Sequence, residues 1–108
     1  MEASKKISVL VKDPGRPPRH VWISNTLENL QRTVGGYIET VNFNSVGLVV
    51  ICNEEGRLMG LDYNCDIYGI DFVGTIVIAG IDGDEFGDLP LKWPEMHTLF
   101  PMLWEVRA

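Results

Sequence analysis

The segment NTLENLQRTVGGYIETVNFNSVGLVVICNEEGRLMGL, Asn25 to Leu61, decides the fold of this 108-residue chain. Its first part reads as a short amphipathic helix, with Leu27, Leu30 and Val34 at i, i+3 and i+7 on one stripe. Asn25 is a suitable N-cap, and Glu28 three residues on completes a capping box. Gly35 or Gly36 supplies the left-handed residue that ends the helix. So short a helix is unstable alone and must dock its stripe on a sheet. The glycine pair follows a helix, whereas a phosphate-cradling loop precedes one, which argues against a nucleotide loop here.

The rest of the segment is strand and turn. Tyr37 to Phe43 alternates, with Tyr37, Glu39, Val41 and Phe43 on one face and Ile38, Thr40 and Asn42 on the other. Glu39 on that face is expected either to be buried and paired or to aim at a partner. Asn44-Ser45 turns the chain into Val46 to Cys52, apolar on both faces, which marks an inner strand. Asn53-Glu54-Glu55-Gly56 reads as a hairpin turn with Gly56 at positive φ, and Arg57 to Leu61 as the returning strand.

Upstream, Lys5 to Lys12 alternates, with Ile7, Val9 and Val11 on one face and Ser8, Leu10 and Lys12 on the other. Asp13 to Arg19 carries three prolines, so it forms a stiff loop before the strand His20 to Ser24. Downstream, Asp62 to Asp71 is polar and reads as a surface loop exposing Asn64 and Cys65. Phe72 to Ile81 reads as an apolar strand, with Asp82-Gly83 turning into a return over Glu85 to Leu91. Pro94 suits helix position N1, and Met96, Leu99, Phe100 and Leu103 form a stripe that Pro101 interrupts. The expected fold is a single α+β domain spanning 1–108: β-hairpin, helix, then an antiparallel or mixed sheet, with a short C-terminal helix. The ββαββ order is that of a β-grasp arrangement.

Composition narrows the function classes. With 45% hydrophobic and 22% charged residues this is an ordinary globular composition. No apolar run approaches the ~20 residues that span a bilayer, and Met1 to Lys6 is followed by no apolar leader segment. Two cysteines, Cys52 and Cys65, make no disulfide framework, which points to the cytoplasm. The net charge of −6 is polarised: residues 1–36 hold six cations against three acids, and residues 37–108 hold three against twelve. That balance disfavours general nucleic-acid binding and leaves one cationic patch for an anion.

Val34-Gly35-Gly36-Tyr37-Ile38-Glu39, followed by Ile51-Cys52-Asn53-Glu54-Glu55-Gly56-Arg57-Leu58, resembles the signature of a domain-of-unknown-function family. The likeness covers roughly residues 5–90, including Leu61-Asp62-Tyr63-Asn64 and Gly74 to Ile78. At its end the chain departs from the family, with Trp93-Pro94 and Phe100-Pro101 in place of a longer acidic helix. The family occurs in bacteriophages, plasmids and mobile elements, and carries no agreed activity. The resemblance implies a non-enzymatic accessory protein acting in a bacterial host's cytoplasm, used in counter-defence. It would either block a host protein or sequester a small anionic, nucleotide-type signal. The alternatives are an enzyme that degrades such a signal, or an acidic DNA mimic.

Arg16 and Arg19 can clamp a carboxylate or phosphate bidentately. Asn53, Glu54, Glu55 and Asn64 are the other expected contact residues, since turns beside sheet ends carry exposed groups on rigid supports. No catalytic residue, metal or cofactor is expected. Asp82 to Asp88 begins like a calcium loop, but Phe86 and Trp93 occupy its fifth and twelfth positions. Cys52, Cys65, His20 and His97 lack zinc-ligand spacing. A nucleophile would need a histidine beside Cys65 or a serine, which the sequence does not join. A homodimer is expected, through sheet edges at Val73–Ala79 and apolar surface at Trp93, Met102 and Trp104.

Overall fold

Alternation in the N-terminal hairpin becomes a sheet lined on both faces. In the computed structural model, which describes residues 5–105, the strands are β1 (Lys6–Lys12), β2 (Arg19–Ser24), β3 (Ile38–Phe43), β4 (Leu48–Asn53), β5 (Tyr63–Ile67), β6 (Ile70–Val73), β7 (Ile76–Asp82) and β8 (Glu85–Gly87). The helices are α1 (Leu27–Val34) and α2 (Trp93–Leu99), with 3₁₀ turns over Asn44–Val46 and Pro101–Trp104. The leaderless reading of Met1 to Ser4 and the charge at Arg107 lie outside the described residues.

The main sheet runs β2-β1-β7-β4-β3, with β8 added to β7, while β5 and β6 form a separate hairpin. Every neighbouring pair is antiparallel. The fold is therefore α+β, in the expected ββαββ order with a short C-terminal helix. One face packs Ile7, Val9, Val11, Val49, Ile51, Val77 and Ala79 under Leu30 and Val34 of α1. The other packs Leu10, Leu48, Val50, Cys52, Ile76 and Ile78 under Ile67 and Phe72 of the β5–β6 hairpin, with Met96, Phe100 and Leu103 beside them. Covering both faces is why β4 and β7 read as unbroken apolar runs. Burying Leu30 and Val34 contributes about 1.5–3 kcal/mol each, more than a short helix holds by itself.

Several local expectations change. The N-cap of α1 is Thr26, whose Oγ1 accepts from the Asn29 N–H at 3.2 Å. Asn25 instead donates to the Phe86 carbonyl, so Asn25 and Glu28 form no capping box. Leu27, in the first turn, stays exposed. Gly35, at φ 81°, ends the helix as expected.

Arg57 to Leu61 does not return as a strand but continues the turn. Asp62 to Asp71 is no surface loop. It holds β5 and the first half of β6, with Asn64 and Cys65 buried, because the second face of the sheet needs an apolar cover. Gly56 lacks positive φ, which Gly60 takes instead, and its constraint is close packing. A Cβ at Gly56 would stand 2.8 Å from Val73 Cγ2.

Phe72 belongs to β6, and β7 lies between β1 and β4, so Val73–Ala79 is no sheet edge. The edges are β2 and β3. The Asp82-Gly83 hairpin forms, with Gly83 at φ 61°, but its return β8 ends at Gly87. There the Asp88 carbonyl approaches Gly80 so closely that no Cβ fits. Pro94 sits one residue inside α2, which begins at Trp93, and Leu99 points outward while Met96 and Phe100 are buried.

Candidate functional site

Register places the functional candidates. Lys12 opposes Ile76, Val11 opposes both Arg19 and Val77, and Ile51 opposes Val77. The β1–β2 loop, the β6–β7 connection and the turn after β4 therefore share one end of the sheet. Two concavities open there.

The first is built around Lys12. Alternation along β1 puts Lys12 on the same face as Leu10, and the β5–β6 hairpin closes over it, leaving it 1% exposed. Its Nζ donates to Asn64 Oδ1 at 2.8 Å. Asn64 Nδ2 in turn donates to the Lys12 carbonyl at 2.8 Å and the Gly74 carbonyl at 2.7 Å, so the amide is locked in one orientation. Lys12, Asn64 and Cys65 form the buried end of a cleft of about 230 Å³, with Gly15, Tyr63, Asp66, Met102 and Glu105 around its outer part.

The electrostatics of this cleft are unbalanced. Burial holds the Lys12 ammonium below its ordinary range, opposed by the charges of Cys65 and Asp13. Burial also pushes the Cys65 thiol up to about 11, against the pull of Lys12. At neutral pH Cys65 is therefore a protonated thiol and offers no counter-charge. Asp13 is engaged elsewhere, accepting from Thr75 Oγ1 at 2.7 Å and pairing with Arg19 at 3.7 Å. Among the described residues no carboxylate forms an ion pair with Lys12. A buried ammonium whose one hydrogen-bond partner is a neutral amide keeps part of its desolvation cost.

The second concavity is a groove of about 510 Å³ between β3–β4 and β6. Val41, Cys52 and Phe72 line it, with Glu39, Glu54, Arg57, Leu58 and Asp71 at its borders. Glu39 is neither buried nor paired within the described residues, so it aims outward from this border.

The expected contact residues divide between these places. Arg16 and Arg19 are exposed, and their loop contributes Gly15 to the Lys12 cleft. Asn64 lies at the buried end of that cleft instead of on a surface loop, because it ties β1 to the β6–β7 turn. Glu54 and Glu55 are exposed, with Glu54 on the second groove. Asn53 is buried and structural. Its Nδ2 donates to the Val34 carbonyl at 3.2 Å, and its Oδ1 accepts from the Glu55 N–H at 2.8 Å. A Cβ on Gly36 would stand 2.9 Å from Asn53 Nδ2. The two halves of the signature thus form one clasp: Gly35 turns the chain, Gly36 leaves room, and Asn53 holds the helix end to the turn.

Sequence reading missed Lys12. The available signal was that it shares a strand face with the apolar Leu10, so that face is buried too. It also left Ser8 and His20 apart, whereas Ser8 Oγ hydrogen-bonds His20 Nε2 across the hairpin. Asp88 accepts from the Ser8 backbone N–H and not from the imidazole, so the three do not form a triad. His97 stacks on Trp104 at 3.7 Å, remote from either cysteine in its contacts.

No helix among the described residues is long and apolar enough to cross a membrane. Neither a curated protein nor a solved structure matches this sequence. One family does, and its match runs beyond the signature into α2, through Thr98. Matched over residues 7–98, the chain belongs to the family described as Domain of unknown function (DUF3846).

Proposed function

We propose that this protein is a non-enzymatic binding module that takes the phosphate or carboxylate group of a small anionic ligand into the Lys12 cleft. In a phage or mobile element, such a module serves counter-defence by sequestering a nucleotide-type signal in the cytoplasm of the bacterial host. The observation that carries the reading is the Lys12 ammonium, buried beside the cleft with no carboxylate in direct ion pairing among the described residues. An oxyanion there supplies a counter-charge in a low-dielectric setting, where a charge-assisted bond is strong. Arg16 stands exposed in the adjoining loop for further anionic charge, and Asp66 and Glu105 can accept hydrogen bonds from sugar hydroxyls or base amines.

Binding without turnover is favoured by what lines the cleft. Cys65 is held as a thiol, and His20 and His97 make their contacts elsewhere. The test is a titration with AMP and with inorganic phosphate, followed by heat denaturation of the complex. Saturable binding that Lys12→Met abolishes, with AMP recovered unchanged, supports the reading. Binding that survives Lys12→Met refutes the site, and recovery of a chemically altered nucleotide refutes the non-enzymatic assignment.

A further inference from the structure

Independently of the Lys12 cleft, we infer that the groove beside β3 docks an extended, basic segment of a partner protein, which adds a strand to the β3 edge. Three observations converge on this surface.

The first is the free edge. The Glu54 N–H donates to the Tyr37 carbonyl at 2.8 Å, and the register continues through Ile38↔Asn53 to Phe43↔Leu48. In an antiparallel pair, hydrogen-bonded positions alternate. The backbone groups of Tyr37, Glu39, Val41 and Phe43 therefore face β4, and those of Ile38, Thr40 and Asn42 face outward. No strand covers them among the described residues, and such a row is a template for another strand.

The second observation is the apolar surface. Leu58 is 88% exposed, and Tyr37 and Met59 are exposed on the same turn region. Met59 is fixed there, its Sδ accepting from Asn53 Nδ2 at 3.5 Å. Val41, Cys52 and Phe72 continue the apolar floor inward. Alternate side chains of an added strand would point into this floor.

The third is charge. Glu39, Glu54 and Asp71 border the groove, and its one cation, Arg57, is held by the Asp71 carbonyl at 3.1 Å. On the opposite face, Asp84 and Glu85 line a second hollow beside Thr40 and Asn42. The edge is thus acidic on both sides, which complements a segment alternating lysine or arginine with apolar residues. A second copy of this chain would bring the same acids against each other, so self-pairing through β3 is disfavoured.

The probe is a fluorescein-labelled ten-residue peptide alternating lysine with valine, compared with its glutamate–valine counterpart by anisotropy. The lysine peptide should bind, and Glu39→Gln combined with Glu54→Gln should weaken it by about tenfold or more. Glu28→Gln, exposed on α1, is the control and should leave affinity unchanged. In the complex, the amides of Ile38, Thr40 and Asn42 should gain protection from hydrogen exchange. Equal binding of both peptides, no binding, an unaffected Glu39/Glu54 variant, or protection confined to β2 would each overturn the inference. So would a concentration-dependent dimer that buries β3 without peptide.

Discussion

Replacing Lys12 with methionine should make the protein more stable while removing its proposed ligand site. Methionine matches the length of the lysine stem and fills irregular apolar space. Removing a buried, unpaired ammonium relieves a penalty whose replacement by an apolar residue is often worth about 1–4 kcal/mol. The loss on the other side is one hydrogen bond. Asn64 keeps both of its Nδ2 bonds, and only Oδ1 loses its donor. An unpartnered acceptor costs about 1–3 kcal/mol when dry. Here Oδ1 borders a cleft of about 230 Å³, which has room for water, so the lower figure applies. The balance is a gain of up to about 3 kcal/mol, or up to roughly 13 °C in Tm for a chain of this size. Urea unfolding at pH 7 reads this as a higher midpoint with an unchanged slope. The sign can be tested again by pH. Because the folded Lys12 pKa is below 10.5, the wild-type penalty is full at low pH and fades as pH rises through the window ending at 10.5. The advantage of Lys12→Met should therefore shrink toward alkaline pH. A variant destabilised by 2 kcal/mol or more would show that the ammonium already has an adequate partner, and the argument for an anion would fail.

Asn53→Ala should destabilise by about 2–4 kcal/mol in chemical unfolding, since it strands the Val34 carbonyl and the Glu55 N–H; Glu54→Ala with Glu55→Ala should stay within about 0.5 kcal/mol. Wild-type stability should fall between pH 9 and pH 11, because the thiols of Cys52 and Cys65 are raised from 9.0 to about 11 by burial. The unfolded thiols ionise first, so each contributes stability that is full below pH 9 and is lost as pH rises. Cys52→Ala with Cys65→Ala should flatten that descent in pH-dependent urea midpoints. Gly80→Ala should cost about 1–3 kcal/mol or more, since its Cβ would strike the Asp88 carbonyl and push β8 off β7; differential scanning calorimetry would measure the loss.

What the sequence disclosed follows physical lines. Period-two alternation located β1 to β3, and an apolar run on both faces marked β4 as an inner strand with a layer on each side. The helix stop was legible because only glycine takes φ 81° freely. What stayed hidden depends on contacts distant in sequence. Asp62 to Asp71 reads as polar because much of it faces solvent, yet its Cys65 and Ile67, with Phe72 just beyond, cap the second face. Asn53 reads as a turn residue, and its bond to Val34 spans nineteen positions. Lys12 reads as a solvated strand end until the β5–β6 hairpin covers it, and the Asn64 bond that defines its site spans fifty-two positions. The signature residues thus divide between a structural clasp and the border of a groove, a distinction that no local pattern makes.

The most direct test of the central claim is a two-dimensional ¹H–¹⁵N NMR titration of the full chain with AMP and inorganic phosphate, for wild type and Lys12→Met. A ligand seated on Lys12 should shift the amides of Lys12, Asp13, Asn64 and Cys65 saturably, together with the Asn64 side-chain amide, and Lys12→Met should abolish those shifts while its spectrum stays folded. Shifts confined to Arg16 and Arg19, or shifts that persist unchanged in Lys12→Met, would contradict the account.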